Sequence, residues 1–166
     1  MAGTYRRHGL IEAPVDDVWA IVSDPHTHPD WWPEVIQVRA DDQVTEGGEY
    51  TRVTRRMGFL DMVDGVWLVE RMEHLKEVHF RCTVTGTYTR FALTPAQDET
   101  FVEVEAGIDP VNRRWKMASA VVPRLFFQRW LGDLLDALPR VVKGEASGRA
   151  PDADAQPATS DKPSGD

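Results

Sequence analysis

The chain has 166 residues, a formal net charge of -8 and a single cysteine. That length suits one domain, one cysteine rules out an internal disulfide framework, and an acidic body argues against nucleic acid or an anionic membrane as the main partner. No segment approaches the roughly 20 apolar residues of a membrane span, and the opening MAGTYRRHGLIEAPVDD lacks the apolar run of a signal peptide, so a cytoplasmic protein without stable membrane insertion is expected.

Residues 5–12, YRRHGLIE, read as a strand that Ala13-Pro14 ends. A helix over 14–23 follows, with Val15, Val18, Trp19 and Val22 at helical spacing. Asp16 and Asp17 fall in its first turn, where the helix dipole favours negative charge. Asp24-Pro25 opens a second short helical segment, PHTHPDWWPEV, which Pro29 and Pro33 keep short, and at least one of Trp31 and Trp32 should enter the core.

From Val35 to Pro110 the texture is that of strands, at 35–40, 49–57, 60–72, 76–85, 87–94 and 101–109. Short strands at close spacing with no helix between them make an antiparallel meander. Asp64-Gly65, inside the third of these, reads as a turn or a bulge. The last segment, PRLFFQRWLGDLLDALPRVV, is an amphipathic helix with Phe127, Trp130, Leu131, Leu134, Leu138 and Val141 on one face. Pro139 is expected to kink it or to end its regular part. From Gly144 onward there is no aromatic residue and no Leu, Ile, Val or Met. Such a stretch cannot bury enough apolar surface to offset its ordering entropy, so 144–166 is expected to be a disordered acidic tail rich in Pro, Ala, Ser and Asp, with 1–143 as the domain.

A sheet must bury one face and an amphipathic helix one stripe. The expected fold is therefore α+β: a curved antiparallel sheet of about seven strands wrapped around a long C-terminal helix, with two short helices between strands 1 and 2.

The stretch IEAPVDDVWAIVSDPHTHPDWWPEV, residues 11–35, closely resembles the opening of the polyketide cyclase/dehydrase branch of the START-like (Bet v 1-like, SRPBCC) superfamily. That opening is a strand ending in "aP", a helix containing "VW", then "D-P … W-W-P". RFALTPAQDETFVEVEA, residues 90–106, resembles the family's paired strands around a "T-P" turn, and the long C-terminal helix matches as well, so the resemblance covers residues 5–143. It implies a helix-grip fold with a cavity between sheet and helix. The superfamily spans polyketide cyclases, lipid carriers, receptors and interaction modules, so the likeness carries fold and not function.

Alternation along the strands sorts the side chains. Val78, Phe80, Cys82 and Val84 share one face of their strand, Phe91 and Leu93 one face of the next, and Val102, Val104 and Ala106 one face of the last. These apolar sets should form the inner face, which excludes His79 from the interior and puts Arg81, Arg90, Glu103 and Glu105 outside, where opposite charges pair. In 49–72 the alternation is ambiguous, and Tyr50, Arg55, Asp61, Asp64 and Glu70 remain polar candidates for the interior.

Trp31 and Trp32 offer flat walls for an aromatic ligand, or plain core packing. Met57, Trp67, Phe80, Cys82 and Phe91 on the strands, and Phe127 and Trp130 on the last helix, complete the expected lining. Trp115 lies in NRRWKMASAVVPRLFF, which reads as a lid-like connection at one cavity mouth. Arg52, Arg55 and Arg56 share a strand, so each face carries an arginine. An inward one can anchor a ligand carboxylate or enolate, while a solvated edge is the plainer reading. Arg55 and Asp64 are the weak catalytic candidates, Asp64 as an acid or base whose pKa apolar surroundings would raise, against simple turn chemistry. His26, His28 and Asp30 have the residue types of a metal site, but no further ligand is identifiable and an exposed loop is preferred. No cofactor and no metal is implied.

These readings point to binding of a small hydrophobic molecule, lipid-like or polyketide-like, by a monomer or homodimer. Two alternatives stay open: a polyketide cyclase/dehydrase-type enzyme, which an interior ionisable pair would favour, and a protein-interaction module, which a large exposed apolar patch would favour.

Overall fold

The computed structural model describes residues 4–41, 43–55, 64–109 and 124–144. In chain order they form β1 (Tyr5–Ile11), α1 (Val15–Val22), a 3-10 turn (Pro25–Thr27), α2 (His28–Trp31), β2 (Val35–Arg39), β3 (Glu49–Thr54), β4 (Asp64–Glu73), β5 (Glu77–Cys82), β6 (Thr87–Ala96), β7 (Glu99–Ile108) and α3 (Arg124–Val142). The strands make one antiparallel sheet in the order β1-β7-β6-β5-β4-β3-β2. It is curved, and α3 packs against it in a helix-grip arrangement. The expected tail lies outside the described residues from position 145 onward.

Local chemistry sets the element ends. Pro14 precedes α1, whose Val18, Trp19 and Val22 are buried. The carboxylate of Asp24 accepts from the His26 N–H at 2.9 Å and starts the 3-10 turn. Gln97 adopts φ 59° in the two-residue turn between β6 and β7. The Thr94-Pro95 pair expected at that turn lies instead within β6, paired with Phe101 and Thr100.

Period-2 alternation holds on the inner face. Val78, Phe80, Cys82, Phe91, Val102, Val104 and Ala106 have no exposed surface, and Leu131, Leu134 and Leu138 of α3 are equally buried. The outer face carries ion pairs: Arg81 with Glu70, Arg90 with Glu77, and Arg6 with Glu105 at 2.6 Å. His79 lies on that outer face, 3.1 Å from Glu70, as parity requires.

Two expectations fail for physical reasons. β5 ends at Cys82, so Val84 falls in a turn and is 52% exposed. Asp64-Gly65 is neither turn nor bulge but regular ladder, opposite Val53 and Arg52 of β3, and the irregularity of β4 lies between Val69 and Arg71. Of the two effects expected of Pro139, ending the helix does not occur: α3 runs on to Val142 with Pro139 inside it. Among the described residues no helix is long and apolar enough to cross a membrane.

Candidate functional site

The inner face of β3 is the unusual one. Its alternation buries Tyr50 and Arg52, and Arg52 is only 2% exposed. Gly65 stands directly opposite Arg52 on β4. A Cβ added at Gly65 would come within 3.2 Å of the Trp67 Nε1, so the missing side chain is the space into which the Trp67 indole folds. The Arg52 guanidinium then lies 3.8 Å from the Trp67 ring centroid and 4.1 Å from that of Trp32. At such distances the quadrupole of each indole attracts the cation.

The hydrogen bonds fix the protonation of the neighbours. Arg52 Nη2 donates to the Tyr50 hydroxyl at 2.8 Å and to His28 Nδ1 at 3.1 Å. Arginine has no acceptor, so Nδ1 of His28 must be the acceptor and the neutral ring carries its hydrogen on Nε2. Burial, then the charge of Arg52, hold the His28 imidazole well below its ordinary value, so it is neutral. Burial raises the Tyr50 phenol, with Arg52 opposing, so Tyr50 is protonated. Burial likewise lowers the Arg52 pKa, with Tyr50 opposing, yet a guanidinium in this range stays charged. Neither the Nε of Arg52 nor the Nε2 of His28 has a partner among the described residues. No described carboxylate pairs with Arg52.

His28 also ties the group into an aromatic cluster. Its ring is 4.5 Å from Trp32 and 5.0 Å from Phe80. Trp32 in turn meets Trp31 at 5.3 Å, Phe91 at 5.5 Å and Trp130 of α3 at 6.0 Å. The Pro-rich α2 segment thus delivers His28, Trp31 and Trp32 to the interior, while β3 and β4 deliver Tyr50, Arg52 and Trp67.

The tautomer has a consequence for stability. An unfolded chain lets His28 titrate near its ordinary value of 6.5, so below that pH the unfolded state takes up a proton that the folded state refuses, and stability falls as pH drops. Between about pH 7.5 and 5.5 this one group is expected to remove about 1.4 kcal/mol. His28→Gln, whose amide oxygen still accepts from Arg52, should lack that share of the loss. Urea midpoints of both proteins at the two pH values measure it, and equal losses would mean that folded His28 takes up the proton.

The expected lining residues come together in part. Trp31, Trp32, Trp67, Phe80, Cys82 and Phe91 are buried in one cluster on the inner face. Phe127 belongs to the same cluster and stacks on Tyr5, 4.9 Å away, and Trp130 packs against it half-buried. Met57, Asp61 and Trp115 lie outside the described residues, as does the side chain of Asp64. Arg55 is exposed beyond the end of β3, with its backbone N–H donating to Glu34 O at 2.6 Å, so the inward arginine is Arg52. His28 is wholly buried, which corrects the exposed-loop reading; His26 is exposed and bonds Asp41 O at 2.9 Å. Among the described residues no group of three or more His, Cys, Asp and Glu could hold a metal ion. Arg52, His28 and Gly65 are the members that sequence reasoning did not assemble. The available signal was Tyr50-x-Arg52, two polar residues at the spacing of one strand face.

The comparisons agree with this architecture. No curated protein matches the chain. Solved structures resemble it: a Thermus thermophilus protein aligns at 17% identity and TM-score 0.67, over 87% of this chain and 100% of its own. A START superfamily protein of Mycobacterium smegmatis aligns at 16% identity and TM-score 0.59, over 86% of this chain and 96% of its own. A polyketide cyclase-like protein of Corynebacterium glutamicum aligns at 18% and 0.58, over 87% and 94%. Likenesses at such identities show the fold alone. The family described as polyketide cyclase / dehydrase and lipid transport matches over residues 4–143, nearly the whole described chain. With that match and this fold, the chain belongs to the polyketide cyclase/dehydrase and lipid transport family.

Proposed function

We propose that this chain binds a small hydrophobic molecule against the aromatic cluster on the inner face of its sheet. The observation that carries the reading is Arg52. Taking a cation out of water costs several kcal/mol, and a core selected for stability alone has no use for one. A charge kept inside a wall of Trp32, Trp67, Tyr50 and Phe80 serves something that comes to that wall. Phe80, Cys82 and Phe91 are already covered by other side chains, and Trp32 and Trp67 nearly so, so the ligand meets the half-buried Trp130 first.

The test uses the purified full chain. Native mass spectrometry should find an added small-molecule mass that denaturation releases, or an apolar probe such as ANS should brighten on the folded protein and quench its tryptophan emission. No added mass together with a probe that stays dark would mean a solid interior and would end this reading.

A second reading, cyclase- or dehydrase-type chemistry on an aromatic or polyketide-like intermediate, is favoured by one observation. The protonated Tyr50 phenol touches the same buried cation, which sets a proton donor beside a charge that stabilises an enolate. Faster closure of a short poly-β-ketone mimic than in buffer, lost in Tyr50→Phe, supports it. No acceleration leaves binding alone.

A further inference from the structure

We propose that the bound molecule is an oxyanion: an apolar body carrying a carboxylate, enolate or phenolate oxygen that docks on Arg52 and Tyr50. This rests on the binding reading above and names the chemistry of its ligand. Four hydrogens of the Arg52–Tyr50 pair are left to donate: Nε–H and the two Nη1 hydrogens of Arg52 and the hydroxyl proton of Tyr50; the Nε2–H of His28 is also without a partner among the described residues but points away from Arg52, because Nδ1 faces it. None has an acceptor among the described residues, and the Nδ1 and phenol oxygen that could act as acceptors already take the two Nη2 hydrogens of Arg52. Among the described residues the group offers only donors and one uncompensated positive charge.

Water can accept from an orphaned N–H, but it cannot neutralise a buried cation. A neutral alcohol meets the donors and leaves the charge. An amine meets neither, since it brings a second cation beside the first. An anionic oxygen satisfies both requirements, through charge-assisted bonds that are shorter and stronger than neutral ones. Trp32 and Trp67 lie against the guanidinium and both Nη2 hydrogens are taken, so the acceptor comes in at Nε–H or Nη1–H, where a single anionic oxygen suffices.

The test compares ligands with one chain length on the wild-type protein, at about pH 8.5, where the phenol is ionised and the amine still charged: decanoate, decanol, decylamine and a nitrophenol bearing the same alkyl chain. Tryptophan quenching gives each Kd. Decanoate or the nitrophenolate should bind about tenfold or more tightly than decanol, with decylamine weakest. The tighter of the two anions tells a carboxylate from a phenolate or enolate. Arg52→Met should bring the anions to the affinity of decanol and leave decanol unchanged. Arg52→Lys keeps the charge but loses Nε–H and the flat face, and should fall between. Decanol binding as tightly as both anions overturns the proposal while the binding reading stands. If no member of the set binds, the binding reading falls and this proposal with it. The wild-type comparison decides the matter whether or not the variants fold.

Discussion

Phe91→Ala is expected to destabilise the protein by about 3–5 kcal/mol, the range for deleting a fully buried aromatic ring. Phe91 has no exposed surface and sits mid-strand in β6, paired with Val78 of β5 and Val104 of β7. Its ring meets Trp31 at 5.7 Å and Trp32 at 5.5 Å, so it backs the whole α2 aromatic group. Neighbours anchored in two strands and the α2 segment cannot collapse into the gap, which keeps the cavity term large. The midpoint of urea unfolding measures the loss. A cost below about 1 kcal/mol would show that the site relaxes and that the cluster is loosely packed.

Trp67→Ala should cost about as much, roughly 3–5 kcal/mol, and part of that cost should belong to Arg52. The indole is buried and lies 3.8 Å from the guanidinium. Removing it takes away one of two rings from a cation that cannot reach water. A double-mutant cycle with Arg52→Met isolates that part. Coupling of about 1–2 kcal/mol is expected for a desolvated cation–π contact. Additive losses would mean that the stack is mere proximity, and Arg52 would need another reason to be inside.

Much of the fold was legible because it depends on patterns that repeat. Alternation over β5, β6 and β7 placed Phe80, Phe91 and Val104 inside and His79 outside, and the helical stripe of α3 placed Leu131, Leu134 and Leu138. The candidate site resisted for the opposite reason. On β3 the buried face carries Tyr50 and Arg52, while Val53, on the other face, is buried too, so hydrophobicity gives no parity. Register with β4 decides it, by setting Gly65 opposite Arg52, and register is a property of two strands that neither shows alone. His28 reads as loop because it stands between a threonine and a proline. Its burial follows from the tight coupling of the 3-10 turn to α2, where the Trp32 N–H returns to the His28 carbonyl at 2.8 Å.

The sheet order has a consequence for the nascent chain. β1 pairs only with β7, Tyr5 opposite Ala106 and Ile11 opposite Thr100. The strand made first therefore waits for the strand made last, and the ribosome needs on the order of 5–20 s to synthesise the stretch between them. Through that interval Ile11 and the buried face of α1 have neither β7 nor α3 to cover them. The meander from β3 to β7 can zip from neighbour to neighbour, but joining β1 closes a loop of most of the domain, so its docking should set the slow phase of refolding.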